Sequence, residues 1–132
     1  MSTTPSPASD NRSDKNAIVA CLCADWCGTC REYLPLFAQL KARFQKTSFL
    51  WIDIEDQAEL VDPIEVDNFP TVLVAVNGQA RFFGTVLPHL ETLQRLLSAQ
   101  LDAQAPALLG LPDVEELVRR LLLPGTLEGL EL

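Results

Sequence analysis

The run "TVLVAVNGQARFF" (71–83) constrains the fold of this chain more than any other stretch. Asn77-Gly78 sits between two runs rich in β-branched and aromatic residues. Such a dipeptide admits a two-residue type I′ turn, so the flanking runs should pair as an antiparallel hairpin. Upstream, "AIVACLCA" (17–24) is short, apolar and β-branched, as a buried strand is. In "REYLPLFAQLKARFQK" (31–46), Tyr33, Leu34, Phe37, Leu40 and Phe44 recur at helical spacing, and Pro35 should bend that helix rather than end it. "SFLWIDI" (48–54) reads as a second strand, which makes a βαβ unit with a right-handed crossover. The acidic stretch 55–68 predicts one short helix and a turn, its acids forming a solvated face. After the hairpin, Leu90, Leu93, Leu96, Leu97 and Leu101 define an amphipathic helix entered through Pro88 at its first turn. "PDVEELVRRLLL" (112–123) predicts another, with Val114, Leu117, Val118 and Leu121 on one face and Pro124-Gly125 as its stop.

A chain of 132 residues has room for one ordinary core. Residues 1–16 carry almost nothing apolar to bury and read as a disordered leader. The net charge of −8 leaves no basic surplus to neutralise phosphates, which argues against nucleic acid and against anionic membrane surfaces. Its plainer meaning is solubility. No apolar run approaches the ~20 residues of a membrane-spanning helix, and the N-terminus lacks the apolar core of a secretory signal. A reducing cytoplasm is the expected compartment. There, four cysteines within ten positions point to metal binding or redox catalysis rather than to a structural disulfide framework.

Those cysteines are Cys21, Cys23, Cys27 and Cys30, in "CLCADWCGTC". With a strand ending near Ala24 and a helix starting near Gly28, Cys27 falls at the helix N-terminus. Unpaired backbone N–H groups and the positive end of the helix dipole stabilise an anion there, so its thiol pKa should fall from ~8.5 toward neutrality. Cys30, one turn in, is less exposed, and a spacing of three on a helix brings the two sulfurs within bonding reach. The pair thus supplies a nucleophile and a resolving thiol.

With a C-x-x-C pair after the first strand of a βαβ unit, the chain resembles the thioredoxin family. Trp26 precedes the first cysteine and Gly28 follows it; Pro35 matches the family's helix-kink proline; "FPT" (69–71) matches its cis-proline loop at the start of a strand. The resemblance covers roughly residues 17–101. It implies an α/β, three-layer thioredoxin-like fold, a central mixed sheet of about four strands flanked by helices. Residues 102–132 would be an extension with one amphipathic helix. It also implies a protein-disulfide oxidoreductase cycling through a Cys27–Cys30 disulfide with no other cofactor. Trp26, Gly28, Thr29, Phe69 and Pro70 would be its substrate-contacting residues, Phe69 offering its backbone to an extended peptide. Protein disulfides would be its substrates and thioredoxin reductase or an equivalent donor its reductant. A monomer is expected.

The chain also departs from the family. Thr29 stands where thioredoxins have proline. Cys21 stands where many members bury an acid, and Trp51 aligns with that acid's usual charged neighbour. Period-two alternation points Cys21 and Cys23 to one face of the strand, and the resemblance places them near Cys30. The preferred reading makes them buried small hydrophobes. The competing readings are a second redox pair or relay from Cys30, and a four-thiolate zinc or iron–sulfur site.

No apolar pattern in 1–16 can supply the strand and helix that precede the active-site strand in thioredoxins. "FLWIDI" could then be an exposed sheet edge, with helix 112–123 packing where the missing elements would be, or docking a partner instead. His89, the only histidine, is expected at a surface or cap position, and Asp25 as a solvated acid. No nucleotide-binding glycine loop is present. Two other functions stay open: a thioredoxin-like binding or assembly module with little turnover, and a metal-dependent scaffold.

Overall fold

The computed structural model describes residues 17–24, 28–62, 64, 70–102 and 104–132. Strand β1 (Ala17–Cys23) leads into helix α1 (Gly28–Arg43), strand β2 (Thr47–Asp53) and a four-residue helix α2 (Ala58–Val61). Strands β3 (Thr71–Val76) and β4 (Gln79–Thr85) are followed by helices α3 (Leu90–Gln100), α4 (Pro112–Leu121) and α5 (Thr126–Leu130). The sheet order is β2-β1-β3-β4, with β2 parallel to β1 and the other neighbours antiparallel. Among the described residues no strand or helix precedes β1. The expected 1–16 leader lies outside them.

The hairpin forms as its turn chemistry requires. Asn77 and Gly78 both take positive φ, 53° and 81°, which is the type I′ signature. A bulge follows between Val74 and Ala75, where Arg81 is the extra residue on β4. Its guanidinium turns to the C-terminal end of α3 and donates to the carbonyls of Gln100 (3.4 Å) and Asp102 (2.9 Å), a buried cation placed at the negative end of a helix.

β1 is buried on both faces, and its alternation divides the core in two. Val19, Cys21 and Cys23 face Tyr33, Phe37 and Leu40 of α1 and Leu93 and Leu97 of α3. Ile18, Ala20 and Leu22 face Val114, Leu117, Val118 and Leu121 of α4. Helices thus cover both faces of the sheet, giving three layers. α1 runs unbroken through Pro35 and buries Cys30, Tyr33, Phe37 and Leu40. Leu34, expected on that face, is 44% exposed, because it stands ~100° around the helix from Tyr33.

Helix α4 settles the packing question from its own contacts: Leu117 and Leu121 are at most 1% exposed. It ends at Leu121, two residues earlier than expected, and Leu122 and Leu123 are exposed. The edge of β2 is covered by a different segment. Leu50 forms an antiparallel bridge with Glu131, and Leu132 N–H donates to the Phe49 carbonyl at 3.0 Å. Helix α5, which delivers that segment, was not expected; Gly125 in the left-handed region (φ 84°) starts it where Pro124-Gly125 reads as a stop. Pro88 lies ahead of α3 rather than in its first turn, since His89 takes the N-cap position in extended conformation. The His89 ring is exposed and makes no capping hydrogen bond.

Candidate active site

The C-terminal end of β1, the first turn of α1 and the start of β3 converge at one end of the sheet. Pairing of Leu22 with Thr71 means that, one residue further along the register, Pro70 comes beside Cys23. Pro70 is buried, Gly28 exposed and Thr29 half-buried. Among the described residues an added Cβ at Gly28 would meet no atom within 4 Å. Asp25, Trp26, Cys27 and Phe69, four of the residues singled out from the sequence, lie outside the described residues, as does the Phe69–Pro70 bond.

Three cysteines meet beneath the first turn of α1. Cys21, Cys23 and Cys30 are 0%, 1% and 2% exposed, as alternation along β1 and the helix face of Cys30 dictate. Cys23 and Cys30 are joined by a disulfide, with Cα atoms 5.8 Å apart, inside the ordinary range for such a bond. Cys23 is therefore not the inert apolar filler of the preferred sequence reading. Alternation sets its side chain directly under the helix turn that carries Cys30. The Sγ of Cys21 lies 3.4 Å from that of Cys23. Since Cys23 has no proton in the disulfide, the Cys21 S–H is the donor in this contact. Two of the four thiols that a metal would need are spent on one another in this state. Among the described residues no group of three or more His, Cys, Asp or Glu is placed to hold a metal ion.

The surroundings of the cluster are apolar. Cys21 pairs in register with Trp51 on β2 and Val72 on β3, so the alignment of Trp51 beside Cys21 is realised in the sheet. The Trp51 ring meets Phe37 edge-on at 6.2 Å, and Phe37 meets Phe49 in the same way at 5.5 Å. Tyr33 completes the lining. Among the described residues its buried hydroxyl has no hydrogen-bond partner, and burial, then the proximity of Cys21, push its pKa well above the usual phenol range. The sequence reading used Tyr33 only as a core residue of the helix. Its place three residues after Cys30, on the same helix face, is the signal that puts it against the cysteines.

A parallel strand–helix–strand unit beside an antiparallel hairpin, with cysteines where the first strand meets the first helix, defines a thioredoxin-like architecture. A thioredoxin family model matches residues 8–98, more than half of the chain, and the protein belongs to the thioredoxin family. The match starts ahead of β1, within the segment read as a leader. Thioredoxin H2-1 of Oryza sativa subsp. japonica is 29% identical over 92 residues, covering 67% of each chain. A thioredoxin H-type of Oryza sativa subsp. indica is 34% identical over 55 residues, 42% of this chain. That alignment and one to a Picea mariana thioredoxin H-type span only about half the relatives' lengths, 45% and 53%. In three dimensions a poplar thioredoxin h superposes with a TM-score of 0.60 at 24% identity, covering 74% of this chain and 87% of that one. Mitochondrial thioredoxin 3 of Saccharomyces cerevisiae, in its oxidised form, gives 0.56 at 19% identity, over 70% and 88%. At these identities the superpositions speak for the fold.

Proposed function

We propose that the protein is a thiol–disulfide oxidoreductase that reduces or exchanges protein disulfides, with Cys27 as nucleophile and Cys30 as resolving thiol. The observation that carries this reading is the buried Cys30 sulfur, held in a disulfide with Cys23 rather than with the expected Cys27, at the first turn of a helix that begins one residue after Cys27 in the sequence. A sulfur so placed is within reach of exchange. The start of a 16-residue helix also offers unpaired N–H groups and a positive dipole end to a thiolate at the preceding position.

In the cycle, the Cys27 thiolate attacks one sulfur of a substrate disulfide, forming a mixed disulfide and expelling the other sulfur as thiolate. Cys30 then gives up its proton and attacks Cys27 Sγ, releasing the second substrate thiol and leaving Cys27–Cys30 oxidised. A dithiol donor, by family resemblance a thioredoxin reductase or its equivalent, returns two electrons in a reducing compartment. In this reading an extended peptide backbone of the substrate meets Trp26, Gly28, Thr29, Phe69 and Pro70, a role that the burial of Pro70 at the start of β3 supports.

Insulin reduction with dithiothreitol tests the proposal. Cys27→Ser should abolish catalysis, and Cys30→Ser should accumulate a mixed disulfide on Cys27; wild-type rates from Cys27→Ser would refute it. The apolar surroundings of Cys21, where a buried acid assists many relatives, favour a second reading, a binding module with little turnover. Client binding that survives loss of both Cys27 and Cys30, without measurable insulin reduction in the wild type, would select it.

A further inference from the structure

We infer that Cys23 and Cys30 form a second dithiol–disulfide couple inside the domain, in which Cys30 is shared with the exchange-active Cys27. The inference rests on the oxidoreductase reading above. Its own basis is the Cys23–Cys30 disulfide, the burial of both residues, and the thiol of Cys21 hydrogen-bonded to the Cys23 sulfur.

The chemistry is an exchange with no net oxidation. When a protein disulfide has oxidised Cys27 and Cys30, the Cys23 sulfur attacks Cys30 Sγ. The Cys23–Cys30 bond forms, the Cys27–Cys30 bond breaks, and Cys27 leaves as thiolate. The proton given up by Cys23 passes to Cys27 or to solvent. The reverse attack by Cys27 on Cys30 returns the disulfide to the Cys27–Cys30 pair, where a dithiol donor can reduce it. Cys27 is the better leaving group, because a thiolate at a helix N-terminus is stabilised where one under the sheet face is not. Cys21 supplies a polar group in contact with Cys23 that can hold a hydrogen bond to its sulfur in either state. The couple holds the oxidised state between two buried sulfurs while leaving Cys27 a thiol.

Disulfide mapping tests this on the full chain. Reduced protein is mixed with oxidised glutathione, quenched in acid over a time course, alkylated, and its cross-linked peptides measured by mass spectrometry. The expected result is that Cys27–Cys30 appears first and Cys23–Cys30 then grows at its expense. In Cys23→Ala the Cys27–Cys30 peptide should persist and insulin reduction should continue. Persistence of Cys27–Cys30 in the wild type, with no Cys23–Cys30 peptide at any time, would overturn the inference while leaving the oxidoreductase reading intact. So would Cys23–Cys30 formation in Cys27→Ser at the wild-type rate. Failure of the oxidoreductase reading has a separate signature: no disulfide at Cys27 and no insulin reduction. The wild-type time course decides the matter even if Cys23→Ala does not fold.

Discussion

Leu132 donates its backbone N–H to the carbonyl of Phe49 at 3.0 Å, which ties the last residue of the sequence to the outer edge of β2. Lys41 of α1 donates to the Leu132 carbonyl from the other side. Removing 126–132 should therefore lay open the β2 edge and strip Leu127, Leu130 and Leu132 from the core clusters they pack against. The expected cost is roughly 2–4 kcal/mol, with concentration-dependent association through the bared strand. Urea unfolding and light scattering check the two parts separately.

Leu117→Ala should destabilise by about 2–4 kcal/mol, since Leu117 is 1% exposed in the core beneath α4. Leu117→Met should cost less than about 1.5 kcal/mol. Leu109, 77% exposed, provides the control: its change to Ala should stay within about 0.5 kcal/mol. Unfolding midpoints in urea give all three.

Arg120 binds two elements far apart in sequence. Its Nη1 donates to the carbonyls of Glu59 (3.1 Å), Leu60 (3.1 Å) and Asp62 (2.5 Å), while its Nε donates to Glu116 at 2.9 Å. Arg120→Met should lower stability by about 1–2 kcal/mol and speed hydrogen exchange of amides in α2 before those of the sheet. Arg120→Lys should restore only part of this, because a single ammonium cannot replace the planar fork.

Tyr33 is the only tyrosine, so phenolate absorbance reports on it alone. Its pKa is raised in the fold by burial and by Cys21. Above about pH 10 an unfolded chain gives up this proton while the folded chain keeps it, so its contribution to stability is full below pH 10 and is lost as pH rises further. The expected titration shows no phenolate near pH 10, then a rise coincident with unfolding. Because the buried hydroxyl has no hydrogen-bond partner among the described residues, Tyr33→Phe should be neutral or stabilising by up to about 1 kcal/mol.

Gly28→Ala should fold normally and gain about 0.5 kcal/mol, since a methyl group there meets no atom of the described residues and alanine loses less entropy in a helix. If position 28 contacts substrate as proposed, the same change should raise KM in insulin reduction with little change in kcat.

What could be read from the sequence was whatever short-range periodicity encodes. Asn77-Gly78 specifies its own turn, alternation sorts Val19, Cys21 and Cys23 from Ile18, Ala20 and Leu22, and the 114–117–118–121 face of α4 is visible as a stripe. Spacing could bring sulfurs to one end of the sheet but could not choose the partner of Cys30, since a C-x-x-C pair on a helix and a strand-to-helix pair both permit a bond, and the described structure joins Cys30 to Cys23. α5 has five residues, too few to show a period. The Glu131–Leu50 bridge and the Arg81 contacts with Gln100 and Asp102 depend on where distant segments arrive, which no local pattern records.

That dependence on late arrivals bears on how the chain is made. Lys41 and Leu132 are 91 positions apart, and α4 closes over strands translated long before it. While a ribosome is still extending the chain, Ile18, Leu22, Leu50 and Ile52 lack the cover of α4, and the outer side of β2 lacks its bridge to Glu131. Nascent chains of this protein should therefore be clients of chaperones that shield apolar surface, released only when the C-terminal segment emerges.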